Sequence, residues 1–317
     1  GLAAGEVLQA IVGTERRAEF IFAGAALNQA GLAENHAQPG SIVLHASLLA
    51  RLPAGLVELA PCVPDHALLL GLNLAVEPQP LPPLPTVDDP AQAQARLCPL
   101  VPRPIYERIC SGSATLVNEH RRATCVFLNF AGIDYAAPEA LAQLERYAEA
   151  VIEQVNRYGG FLHRIAIDDK GSSMLILFGA PTAHENDEER ALLFALAVRG
   201  LAQEMPFIAA QRIGINSGQL FTGNVGAPTR HEYTAIGDAI NLAARLMQTA
   251  APGQILVGAE TQAPAAERFQ WEPLPPFKVK GKPEPVTAYD LRGRERLPHF
   301  QAPRYAQPMV GRRAELR

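Results

Sequence analysis

Residues 5–44 and 218–257 of this 317-residue chain are two copies of one sequence, offset by 213. Thirteen of the 40 aligned positions are identical without a gap. Unrelated chains of ordinary composition would give roughly three. The matches include Gly5/Gly218, Gly13/Gly226, Arg17/Arg230, Glu19/Glu232, Gly24/Gly237 and Asn28/Asn241. A duplicated unit must fold twice by the same rules, so the repeat constrains the layout more than any single motif. About 100 residues of patterned sequence precede the second copy, and only four precede the first. The expectation is a whole domain behind the second copy and the back part of a like domain at residues 1–75, its front half lying upstream of Gly1.

A chain this long holds about two domains of roughly 150 residues. Apolar residues make up 48%, enough for a sizeable core. The net charge of -4 argues against a nucleic-acid surface. No apolar run approaches the roughly 18 residues of a membrane helix. Cys62, Cys98, Cys110 and Cys125 show no CxxC spacing, so neither a zinc site nor a disulfide framework is indicated. A reducing cytoplasm is the expected setting.

Residues 77–90, EPQPLPPLPTVDDP, read as an extended proline-rich connection within a linker at 76–118. A second domain is expected at 119–293. Thr124 to Phe130 reads as a strand, and Pro138 opens a helix ended by Gly159 and Gly160. Residues 161–167 and 174–178 read as strands around the polar turn DDKGSS. Asn186 is expected to cap a second helix. Residues 211–216 and 219–225 look like a hairpin, 237–247 like a third helix, and 255–257 and 278–291 supply the last strands. The β-α-β-β-α-β order predicts an α+β, ferredoxin-like sandwich.

Asn241 and Arg245 are four apart on the third helix and share one face. An amide and a guanidinium there can hold a ribose and a phosphate, since the guanidinium is planar and always protonated. The same pair also suits a solvated helix face. Thr234 can donate to or accept from a base edge, or serve as a β-branched strand residue. Lys278, Lys280 and Lys282 alternate on a predicted strand, which suits a triphosphate or a guarded sheet edge. Asp168 and Asp169 could bind Mg²⁺, but beside Gly171 and two serines they read better as turn residues. No GxxxxGK[ST], no GxGxxG after a strand and no metal-spaced histidine pair occurs.

The string GNVGAPTRHEYTAIGDAINLAARL, with FGAP at 178–181 and VKGKPEPV at 279–286, resembles the class III nucleotidyl cyclase homology domain. More narrowly, the chain is similar to bicarbonate-responsive soluble adenylyl cyclases and their bacterial relatives. Those pair two cyclase domains in one chain, followed by a P-loop ATPase. PMVGRRAELR, within 294–317, resembles the entry to that ATPase.

The resemblance implies an adenylyl cyclase in intracellular signalling, taking ATP to cyclic AMP and pyrophosphate between two intramolecularly paired domains. It places Thr234 and Arg164 at base recognition, Asn241 at the ribose and Lys280 near the triphosphate. Arg245 falls at the position that stabilises transition-state charge. It also implies two Mg²⁺ or Mn²⁺ ions held by two aspartates of one domain. Here the first aspartate is matched by Asn129, and the second has no clear match in DDKGSS. No metal ligand is therefore assigned in this chain, and the carboxylates are expected from the upstream half-domain. The first copy keeps Asn28 but has Leu32 at the arginine position. Gly31 falls where the bicarbonate-binding arginine of the animal enzyme would lie. A cyclase-like regulatory or nucleotide-sensing module for the ATPase is the alternative. A guanylyl cyclase would present an acid and a cysteine at the base, unlike Arg164 and Thr234.

Overall fold

The computed structural model describes residues 1–74, 80, 82, 86–112, 118–168, 171–227, 230–279 and 284–295. The first copy runs β1 (Leu8–Thr14), β2 (Arg17–Ala23), α1 (Ala25–Asn35), β3 (Ile42–His45), α2 (Ala46–Leu49), β4 (Val57–Pro61) and β5 (His66–Leu72). Next come α3 (Pro90–Leu97) and α4 (Arg103–Cys110), followed by β6 (Glu119–Ala131), α5 (Ala140–Tyr158), β7 (Phe161–Asp168), β8 (Gly171–Phe178) and α6 (Asp187–Glu204). The second copy then gives β9 (Ala210–Ala227), β10 (Arg230–Ile236), α7 (Asp238–Thr249), β11 (Ile255–Gly258) and α8 (Ala259–Gln262). β12 (Phe269–Pro273) and β13 (Ala288–Arg294) close the series.

The repeat is reproduced element by element. Adding 213 to the bounds of β2, β3 and α2 gives those of β10, β11 and α8. β1 maps onto the last seven residues of β9, and α1 onto α7 less its final residue. Gly13 and Gly226 both sit at positive φ, 137° and 147°, a region a side chain would strain. A Cβ on Gly13 would also lie 2.4 Å from the Arg17 carbonyl.

The main sheet runs β12-β13-β11-β9-β6-β8-β7, with β10 added to β9. Its β9-β6-β8-β7 part is the expected ferredoxin-like order, the first strand lying between the third and the fourth. β6 alternates as a strand covered on both faces must. Val126, Leu128 and Phe130 face α5 and α6, while Ala123 and Cys125 face α7. Burial pushes the Cys125 thiol up to about 12, so it behaves as a small apolar core residue.

Four local expectations are corrected. Residues 211–225 are no hairpin: β9 is one 18-residue strand, paired to β6 over the whole of β6. Ser217 and Gly218 read locally as a turn, but they pair in register with Thr124 and Ala123 of β6, and Thr124 Oγ1 lies 2.8 Å from Ser217 Oγ. The hairpin is β9–β10 instead. Asn186 stands at the N-cap of α6 without a side-chain cap bond; Asp187 Oδ2 accepts from the His184 amide at 2.8 Å. The linker carries α3 and α4, and Ile105 of α4 is buried. The closing strands are β12 and β13, with Phe277 making only an isolated bridge to Val286.

The first copy of the repeat packs into the core that residues 119–293 form. Val12, Ile21 and Ala23 of the β1–β2 hairpin join one buried cluster with Leu144, Val151 and Ile152 of α5. At offset 213 the counterparts of Val12 and Ala23 are Val225 and Ile236, which are 41% and 55% exposed.

Candidate active site

Two glycines seat α7. A Cβ on Gly214 would lie 2.2 Å from the Ala243 carbonyl and from the Met247 nitrogen, and one on Gly218 would meet Ala239 Cβ at 2.9 Å. The helix therefore lies directly on the β9 backbone, burying Ala239, Ala243, Leu246 and Met247. Asn241 is thereby left exposed and Arg245 half-buried, one turn apart. Arg245 Nη1 donates to Gln248 Oε1 at 2.8 Å, a contact that leaves its other donors for a ligand.

Thr234 lies on β10, opposite Gly223 of β9, four residues before α7 begins. Its hydroxyl lies 3.3 Å from Nε2 of His163. Sequence reasoning missed His163. The β7–β8 register slips between Leu162 and Arg164, so His163 is the extra residue of a bulge. Leu162 and Ile165 stay in the core while His163 turns to the other face. Arg164 is exposed, and the Thr234 hydroxyl is partnered by its neighbour. Burial, then the nearby Arg164 and Arg17 cations, push the His163 pKa down to about 4, so the imidazole is neutral near pH 7.

The first copy braces this strand. Arg17 Nη2 donates to the Leu162 carbonyl at 3.2 Å, beside the bulge, and pairs with Glu19. Burial holds the Glu19 carboxyl above its usual range, with Arg17 opposing that shift. Lys280 and Lys282 lie outside the described residues, as does Asp169, and Lys278 is exposed.

Residues 119–293 match the family described as "Adenylate and Guanylate cyclase catalytic domain", more than half of the chain. The chain belongs to that family. The adenylyl cyclase CyaB from P. aeruginosa is 26% identical, with a TM-score of 0.53 over 57% of this chain and 98% of that one. The guanylyl cyclase Cya2 is also 26% identical, with a TM-score of 0.50 over 56% and 95%. The guanylate cyclase domain of RhGC from Catenaria anguillulae, solved with GTP, shares the fold at 23% identity and a TM-score of 0.51, over 56% and 100%. Among curated proteins, "Uncharacterized protein Rv1319c" of Mycobacterium tuberculosis is 34% identical over 181 residues. That match covers 54% of this chain and 33% of the relative, so the chain spans about a third of the relative's length.

Cyclase domains generally use Mg²⁺ or Mn²⁺, and the residues at the position implied for the metals do not fit a divalent cation. Asn129 Nδ2 donates to the Ser172 carbonyl at 3.0 Å, and Tyr135 Oη lies 2.5 Å from Ser172 Oγ. An amide, a serine and a phenol fill that corner. A hard cation prefers carboxylates, and among the described residues no cluster of three His, Cys, Asp or Glu could hold a metal. Next to this corner a cavity of about 980 Å³ is lined by Asn28, Gly24, Asp134, Tyr135 and Pro138. Among the described residues no helix is long and apolar enough to cross a membrane.

Proposed function

We propose that residues 119–293 are the base-reading and charge-stabilising half of an adenylyl cyclase, which converts ATP to cyclic AMP and pyrophosphate in intracellular signalling. The observation that carries this reading is the outward face of α7. Asn241 and Arg245 stand one turn apart on a helix seated by Gly214 and Gly218, with Thr234 on the preceding strand.

In this proposal Thr234, with Arg164 near by, reads the adenine edge, and Lys280 meets the triphosphate. Asn241 hydrogen-bonds the ribose and aligns its 3′-oxygen with the α-phosphate. Arg245 places a fixed positive charge where negative charge develops as the pyrophosphate leaves. Such preorganised donors commonly contribute 10²–10³-fold to turnover.

Residues 1–75 are proposed as the back part of a first cyclase domain, paired to the second through β1–β2 on α5. The same rule applied to β9–β10 calls for a helix like α5 on Val225 and Ile236. That helix would belong to the front half of a first domain. The carboxylates for Mg²⁺ or Mn²⁺ would come from that half too, because Asn129 and Ser172 do not supply them. A cytoplasmic location completes the proposal, with 294–317 as a linker and the start of a P-loop ATPase domain on the resemblance of PMVGRRAELR.

A second reading has its own support. The Asn129–Ser172–Tyr135 corner suits a cyclase-like regulatory or nucleotide-sensing module that performs no chemistry. Turnover assays of the full-length polypeptide with ATP or GTP, and Mg²⁺ or Mn²⁺, separate the two. Cyclic AMP from ATP supports the enzyme, cyclic GMP in preference overturns its base assignment, and neither product favours the module.

A further inference from the structure

The turn between β1 and β2 ends in Arg16, and Arg17 begins β2. The repeat puts Thr229 where Arg16 stands, so this pair of adjacent arginines belongs to the first copy alone. They meet the linker and residues 119–293 around a cavity of about 360 Å³, within the usual range for a small-molecule site. Arg16, Arg17, Arg103 and His184 line it, together with Asn156 and Thr182, and Phe161 and Pro181 give it an apolar wall. No Asp or Glu lines it, and neither does Thr234, Asn241 or Arg245. Other cavities differ: Glu6 and Asp134 line the one beside Asn28, and Glu19 and Glu232 line the one that reaches His163.

Three of these four bases are held by carboxylates that stand outside the cavity wall. Arg17 is buried; its Nη2 donates to Glu19 and to the Leu162 carbonyl, its Nη1 to the Ala18 carbonyl, and its buried Nε has no partner. Burial pushes Arg17 below its ordinary pKa despite Glu19, so that pair does not offset its own desolvation. Arg103 Nε donates to Glu107 Oε1 at 2.8 Å in an exposed pair, which competes weakly with a ligand. His184 Nδ1 lies 3.0 Å from Asp187 Oδ1. Arg16 is exposed and pairs with no carboxylate among the described residues. α5 ends at this cavity, but its last carbonyls are covered: Asn156 and Val155 accept from the Gly159 and Gly160 amides, and Tyr158 accepts from Arg190. That blunts the negative end of the helix dipole.

We infer that this cavity binds a small phosphate monoester, its phosphate set among Arg16, Arg17 and Arg103 and its organic body against Phe161 and Pro181. A phosphate dianion offers three oxygens and can engage several guanidiniums, whereas one fork fills a carboxylate. The ligand joins three parts of the chain: the β1–β2 hairpin, the linker and residues 119–293.

Calorimetric titration of the 317-residue chain with phenyl phosphate, at fixed ionic strength, tests this. Saturable one-to-one binding is expected. It should weaken about tenfold or more in Arg16→Ala and in Arg103→Ala, the effect of losing one charge-assisted hydrogen bond. Both side chains are exposed, so both variants should keep wild-type stability in urea unfolding. Arg51→Ala removes an exposed arginine that does not line the cavity and should bind like wild type, as should Arg245→Ala on α7. Benzoate should bind about tenfold or more weakly than phenyl phosphate, having a single carboxylate to offer. Absence of saturable binding, or affinity unaltered in both cavity variants, overturns the inference. So does an equal loss in Arg51→Ala, which would mark a diffuse charge effect, or in Arg245→Ala, which would place the phosphate at α7. Benzoate held as tightly as phenyl phosphate overturns it as well. Binding here needs no turnover, so each result stands whether or not a cyclic nucleotide is formed.

Discussion

Lowering the pH should destabilise the protein through His163 by an amount that follows from its burial. Burial is the main cause of its pKa falling from the ordinary 6.5 to about 4, aided by Arg164 and Arg17. Glu19 and Glu232 share the same cavity. The folded state therefore holds His163 neutral while the unfolded chain takes up a proton. Where the unfolded state binds more protons, stability rises with pH, here between about pH 4 and 6.5. The contribution is fully present above pH 6.5 and is lost progressively as pH falls through that window. At pH 5 the unfolded form is favoured about 30-fold by this group, or about 2 kcal/mol, and at pH 7.5 by almost nothing. Seven other histidines and the carboxylates also titrate, so the comparison is with His163→Gln. Urea unfolding of both proteins at pH 7.5 and pH 5 isolates the contribution of His163. The stability of His163→Gln relative to wild type should improve by about 2 kcal/mol on acidification. A difference that stays constant with pH would refute the burial argument.

Gly214→Ala forces a Cβ into the α7 backbone and should cost about 1–3 kcal/mol in urea unfolding. Gly200→Ala, in α6 with nothing within 4 Å, should be stabilising by up to about 1 kcal/mol; equal effects would show that the α7–β9 approach is not tight. Val12→Ala removes methyls from the β1–α5 contact and should cost about 1–3 kcal/mol, whereas its repeat counterpart Val225→Ala should change the stability of this chain by less than about 0.5 kcal/mol. Comparable losses at both would contradict the unequal burial of the two hairpins.

The repeat made the back of the fold legible, because identical spacing of glycines and apolar residues yields the same elements twice. Ferredoxin-like order followed from element sequence alone. The failures share a cause: they depend on partners distant in sequence. Ser217 and Gly218 carry turn chemistry, yet β6 pairs across them. Arg103 to Cys110 sits beside prolines, yet buries Ile105. His163 escaped notice because a bulge breaks the two-residue alternation, so its neighbour Arg164 took the expected role by motif position. Asn241 and Arg245 share one face of α7, as their four-residue spacing requires, and Thr234 lies on the strand before that helix. Asn129 was legible as a missing carboxylate, but only the structure adds Ser172 and Tyr135 to its hydrogen-bonded corner.

The central claim is that α7 presents a transition-state cation, and Arg245→Ala tests it most directly. Cyclic AMP formation from ATP by the full-length polypeptide would be measured for wild type and variant, with the fold checked by urea unfolding. A loss of about 10²–10³-fold in kcat at unchanged stability is expected. Turnover within a few-fold of wild type in a folded Arg245→Ala protein would contradict it.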